Sequence, residues 1–86
     1  MYYVYLIQSD DELYYGSTND LRRRLAEHNR RSTGYTSGRS WKLIYYEAFL
    51  VEKDARNREH QLKQHGSSLM RLKRRLQHSL NKNRAG

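Results

Sequence analysis

Residues 2–8 alternate two faces, Tyr3, Tyr5 and Ile7 on one and Tyr2, Val4 and Leu6 on the other, and both are largely apolar. A strand that is apolar on both faces is covered on both, so the segment predicts a central strand. Ser9-Asp10-Asp11 reads as a turn, and residues 13–17 form a second β-prone run. So short a turn joins the two runs as an antiparallel hairpin. Gly16, near the end of the second run, points to a close backbone approach or a bend.

Asn19 or Asp20 can cap a helix that runs to about residue 29, with Leu21, Leu25 and Ala26 as a narrow apolar stripe. Arg24 and His28 stand four apart on it, hence on one face, where they can reach a shared ligand. Residues 30–40 turn to Gly, Ser, Thr and Arg, which predicts a surface loop and the most mobile segment of the chain. Residues 42–50 predict a third strand, with Trp41 at its entrance and Glu47 interrupting an apolar run. Two helices follow, over 52–64 and from 67 to about 81, with a break at His65-Gly66. Leu69, Leu72, Leu76 and Leu80 form the stripe that packs the second of them on the body.

Composition narrows what this frame can do. The 86 residues allow one domain, expected over 1–82 with a frayed tail at 83–86, and the length excludes a second catalytic domain. Eight tyrosines, one tryptophan and one phenylalanine, in a chain only 36% hydrophobic, predict a small aromatic core. The absence of cysteine excludes disulfides, thiolate zinc sites and a cysteine nucleophile, so any metal sits on oxygen or imidazole. The apolar start is too short for a signal peptide or a membrane span, so the expectation is a cytoplasmic protein with no membrane role. A formal charge of +8 favours a polyanionic partner, nucleic acid first, although basic charge also merely solubilises many small proteins.

Two tyrosine triplets, Tyr3-Val4-Tyr5 and Tyr14-Tyr15-Gly16, stand ahead of the run from Asp20 through Arg24 to His28 and of a later helix with Glu59. In this order and spacing the chain resembles a GIY-YIG nuclease domain of the small stand-alone branch, over about residues 2–76. Tyr3 stands where the first triplet of the family has glycine, and Ser40 where relatives of this branch often have proline. The resemblance implies an α+β fold, a three-stranded antiparallel sheet flanked by about three helices. It also implies a metal-dependent endonuclease acting on DNA phosphodiesters with a single divalent metal, Mg2+ or Mn2+, in a repair or structure-specific role that would admit repair-protein partners.

By the same resemblance Tyr14 is the general base, with Tyr5 and His28 assisting. A free phenol, with a pKa near 10, is ionised to only about 0.1% at pH 7, so nearby cations, a bound metal or a metal-bound hydroxide would have to supply what the base lacks. The other reading of Tyr14, and more so of Tyr5, is an aromatic packed in the core. Arg24 suits the scissile phosphate because a guanidinium gives planar, bidentate hydrogen bonds, its spacing from Tyr14 selecting it over Arg22 and Arg23. His28 either shares the proton or a phosphate oxygen, or is an exposed histidine at a helix end.

Glu59 is the candidate metal ligand, because Ala55, Glu59 and Leu62 fall at i, i+4 and i+7 and put a carboxylate on the body-facing stripe. Its alternative is a salt bridge to Arg24 or Lys63. Glu47 reads as an ion-pair partner, and His60 and His65 as surface residues. The loop with Tyr35, Thr36 and Arg39 and the helix bearing Lys63 are candidate walls for a nucleic-acid strand, DNA favoured over RNA. The rival function is a non-cleaving nucleic-acid-binding module on the same fold, and a protein-interaction domain is a third.

Overall fold

The computed structural model describes residues 1–30, 34, 36–64 and 66–80. Its elements in order are β1 (Tyr2–Ser9), β2 (Glu12–Thr18), α1 (Leu21–Arg30), β3 (Lys42–Phe49), α2 (Glu52–Gln64) and α3 (Gly66–Arg75). A turn at Leu76 and a short helical stretch over 77–80 follow, so the single helix expected from 67 to about 81 is broken there. The expected tail at 83–86, the wall residue Tyr35 and His65 lie outside the described residues. Among those described, no helix is long and apolar enough to cross a membrane.

The three strands form one antiparallel sheet in the order β2-β1-β3, which puts the doubly apolar strand in the middle as its pattern predicts. Ser9 pairs with Glu12, leaving Asp10 and Asp11 as the turn. Asp10 adopts φ 54°, a left-handed conformation that Asp tolerates because its short side chain bonds locally. The β1–β3 register slips between Leu6 and Ile7.

The pleat of β1 divides the core in two. On one face Val4 packs with Ala55 and Leu62 of α2 and Leu72 of α3, flanked by Tyr2, Tyr15, Tyr45, Phe49, Leu69 and Leu76. On the other, Tyr5, Ile7 and Trp41 pack with Tyr14, Leu43 and the α1 stripe of Leu21 and Leu25. Each fully buried Leu or Ile contributes about 1.5–3 kcal/mol, so neither helix layer is dispensable in so small a body.

Local chemistry fixes the ends. Of the two possible caps, Asp20 serves: its Oδ1 accepts from the Arg23 amide at 3.0 Å, satisfying a donor the helix start leaves open. At the far end Asn29 grips the backbone of Trp41, accepting from its N–H at 2.6 Å and donating to its C=O at 3.2 Å. That grip returns the chain to the sheet beside α1. Glu47 is an ion-pair partner as expected: both its oxygens accept from Arg58 Nε, at 3.1 and 2.9 Å, and one accepts from the Tyr45 hydroxyl at 2.9 Å. Burial, and then the bond to Glu47, raise the Tyr45 pKa.

Candidate active site at the edge of the sheet

β2 is an edge strand, and its side chains alternate between the α1 face and the α2 face. Tyr14 and Gly16 pair with Ile7 and Tyr5 on the α1 side, while Tyr15 and Ser17 pair with Leu6 and Val4 on the α2 side. The candidate residues therefore fall into two groups with one strand between them.

The α1 group centres on Tyr5, only 3% exposed. Its hydroxyl lies 2.8 Å from His28 Nε2 and accepts from Arg24 Nε at 3.3 Å. It sits over Gly16, where an added Cβ would meet the Tyr5 hydroxyl oxygen at 2.8 Å and Cζ at 3.1 Å. The close approach suggested by a glycine in a strand is thus to a tyrosine side chain. His28 Nδ1 stands 3.0 Å from Thr36 Oγ1, and the Thr36 carbonyl accepts from Trp41 Nε1 at 3.0 Å. Donor counting orders this chain. If Tyr5 accepts from Arg24 and gives its own proton to Nε2, the neutral ring carries its proton on Nδ1 and donates to Thr36.

His28 and Thr36 are both 0% exposed. The reading of His28 as an exposed helix-end residue is overturned, because Leu21, Leu25 and His28 at i, i+4 and i+7 form the core-facing stripe of α1. Part of the loop read as surface is likewise core. The Tyr14 ring meets His28 edge-on at 5.0 Å between centroids and Trp41 at 6.4 Å. Tyr14 stays half-buried and, with Leu13, Tyr15 and Lys63, lines a hollow of about 320 Å³.

Charge in this group is biased toward a cation. Burial pushes the Tyr5 phenol up, opposed by the bond to Arg24 and its charge, with smaller raising contributions from Tyr14 and Glu59. Tyr5 therefore stays a neutral hydroxyl. Burial works against the Arg24 charge, but bonds to Tyr5 and to Glu27 Oε1, the latter at 3.2 Å, outweigh it and raise the Arg24 pKa. The Arg24 side chain, 27% exposed, also lines a cleft of about 370 Å³ with Ser17, Asn19, Arg23, Glu27 and Arg56 among its walls.

The α2 group centres on Glu59, its side chain 21% exposed on the stripe that buries Ala55 and Leu62. Its Oε1 accepts from Ser17 Oγ at 2.7 Å and its Oε2 pairs with Lys63 Nζ at 3.0 Å. Of the two salt bridges weighed for Glu59, the one to Lys63 is present. That bond raises the Lys63 pKa; burial opposes it, and the charges of Glu59, Tyr14 and Tyr15 add to it. Lys63 thus stands within charge range of the Tyr14 phenol while bonded to Glu59.

Tyr5, Tyr14, Arg24 and His28 come together directly; Glu59 and Lys63 meet them across the edge of β2. Arg39 is exposed in the segment before Trp41, and His60 is exposed on α2. Ser17 was not foreseen, and Thr36, expected in the wall of a nucleic-acid strand, is instead fully buried against His28. The parity of β2 carried a signal for Ser17, which faces opposite to Gly16; the burial of Thr36, in an aperiodic loop, had none.

Among the described residues no cluster of three or more His, Cys, Asp or Glu could hold a metal. A lone carboxylate fits a hard divalent cation that keeps several waters and takes a substrate phosphate oxygen, as Mg2+ does. Glu59, half-buried and oriented by Ser17, fits that description.

The model of the GIY-YIG catalytic domain matches residues 1–74. A UPF0213 protein of Haloquadratum walsbyi is 42% identical over 65 residues, covering 72% of this chain and 73% of its own. A UPF0213 protein of Clostridium perfringens is 42% identical over 66 residues, with 73% and 71% covered. A third, of Natronomonas pharaonis, is 40% identical over 76 residues, with 85% of each covered. No solved structure gives a significant match.

Proposed function

The chain belongs to the GIY-YIG catalytic domain family, a nuclease family, and from this membership and the geometry at β2 we propose that it is a metal-dependent endonuclease acting on DNA phosphodiesters. The observation that carries the reading is the Arg24–Tyr5–His28 chain of hydrogen bonds, with Tyr14 against it and Glu59 across a single edge strand. Buried aromatics packed only for stability would not need a guanidinium bonded to a phenol at the rim of a cleft.

The DNA backbone lies along the β2 edge, with the scissile phosphate between the two groups. Arg24 binds its non-bridging oxygens, and Tyr5 holds the guanidinium through Nε so that the other nitrogens face the cleft. His28, sealed from solvent, acts through Tyr5: it fixes the direction of the hydroxyl and is itself fixed by Thr36. Tyr14 takes the proton from a water whose oxygen forms a bond to phosphorus as the bond to the leaving oxygen breaks. Lys63 lines the same hollow as Tyr14 and adds positive charge beside the reacting phosphate. A divalent metal held by Glu59, magnesium or manganese, would neutralise phosphoryl charge and stabilise the leaving oxygen. Ser17 orients Glu59 toward that role.

The groups described at the site, Arg24 at the cleft and Glu59 across the edge strand, address phosphate rather than base edges, so we read the substrate as recognised by shape and backbone, which suits a structure-specific or repair-related task. The test incubates the full chain with single-stranded, flapped, branched and blunt duplex DNA, with and without Mg2+ or Mn2+, beside Glu59→Gln. Nicking that needs metal and is lost in Glu59→Gln is expected. Binding without nicking on every substrate would replace the nuclease with a binding module.

A further inference from the structure

The sheet face that carries Tyr5 is only partly covered by the described residues. α1 lies over Tyr5, Ile7, Tyr14, Leu43 and Trp41. Beyond Tyr5, the pleat and the pairings Tyr5↔Tyr46 and Tyr3↔Ala48 put Tyr3, Tyr46 and Ala48 on that same face. No described element covers Tyr46 or Ala48: Tyr46 is 52% exposed, whereas the neighbouring Ile44 and Tyr45 are half-buried. Tyr5 does not shield Tyr46, because its hydroxyl leans the other way, over Gly16. The rings of Tyr3 and Tyr46 meet edge to face, 5.9 Å apart at 71°. Each therefore limits the other's rotation, and a ligand stacking there pays little ordering entropy.

We propose that Tyr3 and Tyr46 form a stacking platform for an unpaired base of the DNA strand whose phosphate sits at Arg24. The inference rests on the nuclease reading and names the kind of DNA it takes. Tyr46 neighbours Tyr5 on the adjacent strand, about 4.8 Å away, and Tyr3 lies two residues along β1, roughly 6.6 Å. The platform thus adjoins the phosphate site at about the reach of one nucleotide. α1, over the neighbouring part of the face, exposes Arg22, Arg23 and Arg30, so the aromatic pair borders a basic surface. Rings beside a cationic track are the usual means of holding single strands. Two rings and a methyl fall well short of the roughly 800 Å² per partner that a stable dimer buries.

A base can reach these rings only when it is out of the duplex stack, so the platform predicts preference for single strands, flaps or gaps over continuous duplex. The test measures binding of the full chain, in EDTA, to a single-stranded oligonucleotide with 2-aminopurine at successive positions and to a blunt duplex. Tyr46→Ala and Tyr46→Leu should weaken single-strand binding by about five- to a hundredfold, the range for stacking one base, and abolish 2-aminopurine quenching. Duplex binding should not change, and Tyr46→Phe should behave as the unsubstituted chain. The proposal is overturned if Tyr46→Ala and Tyr46→Leu bind single strands normally, or lose both substrates equally. It also falls if sedimentation shows a dimer that Tyr46→Ala dissociates without changing single-strand affinity. A chain that neither binds nor cuts any DNA removes the nuclease reading and the platform together; one that binds and nicks, with Tyr46→Ala unaltered, removes the platform alone.

Discussion

Replacing Gly16 with alanine tests whether the Tyr5 hydroxyl is held as tightly as the site requires. The new Cβ would lie 2.8 Å from the Tyr5 hydroxyl oxygen and 3.1 Å from Cζ, closer than side-chain carbons ordinarily approach. Tyr5, 3% exposed, cannot swing into solvent without opening the core. If the ring stays, overpacking costs about 1–3 kcal/mol. If it tilts, the bonds to His28 and Arg24 are lost, at about 1 kcal/mol for the neutral one and 1.5–3 for the charged one. Gly16 is not among the glycines with positive φ, so alanine recovers about 0.4–1 kcal/mol from the unfolded chain. The chain takes the cheaper response, so the net is a destabilisation of about 0.5–2.5 kcal/mol, read in urea unfolding or as a Tm lowered by roughly 4–8 °C per kcal/mol. In the Tyr5→Phe background the closest clash is gone, so the double variant should be about 1 kcal/mol more stable than the sum of the singles predicts. A Gly16→Ala protein as stable as the parent, or strict additivity, would refute the tight seat.

Two further outcomes follow from the same cluster. Thr36→Val keeps the shape but strips His28 Nδ1 of its hydroxyl partner in a fully buried place, so unfolding free energy should fall by about 1–3 kcal/mol. Nitrogen NMR of the histidine should show the tautomer disturbed. At alkaline pH the folded chain keeps the Tyr5 proton above the pH where an unfolded tyrosine releases it, near 10. Stability from this group is therefore complete below about pH 10 and lost as pH rises through the folded value. The parent should lose stability more steeply above pH 10 than Tyr5→Phe, while Tyr45, raised in both, cancels.

What could be read from the sequence was whatever a local period carries. β1 showed as a central strand because both its faces are apolar, and Glu59 was placed inward because 55, 59 and 62 share a helix face. The same rule, applied to 21, 25 and 28, marks His28 as core; its polarity suggested an exposed end instead. Which sheet face each helix would cover had no local signal, since that depends on the connection from β3 to α2. Hence the division of the site by β2, with Arg24 on one side and Glu59 on the other, appeared only in three dimensions. Thr36 is the extreme case, because its burial follows from Asn29 and Trp41 closing the loop beneath α1.

On the proposed reading, the exposed Tyr46 and the split site lead a strand over the α1 face and across the β2 edge. The claim on which this depends is that Tyr14 activates water. The most direct measurement is single-turnover nicking of flapped or single-stranded DNA in Mg2+ or Mn2+ by the parent and by Tyr14→Phe, with binding measured in parallel. Equal binding, with nicking slowed at least about a hundredfold in Tyr14→Phe, is the predicted result. Nicking by Tyr14→Phe at the parental rate would contradict the account.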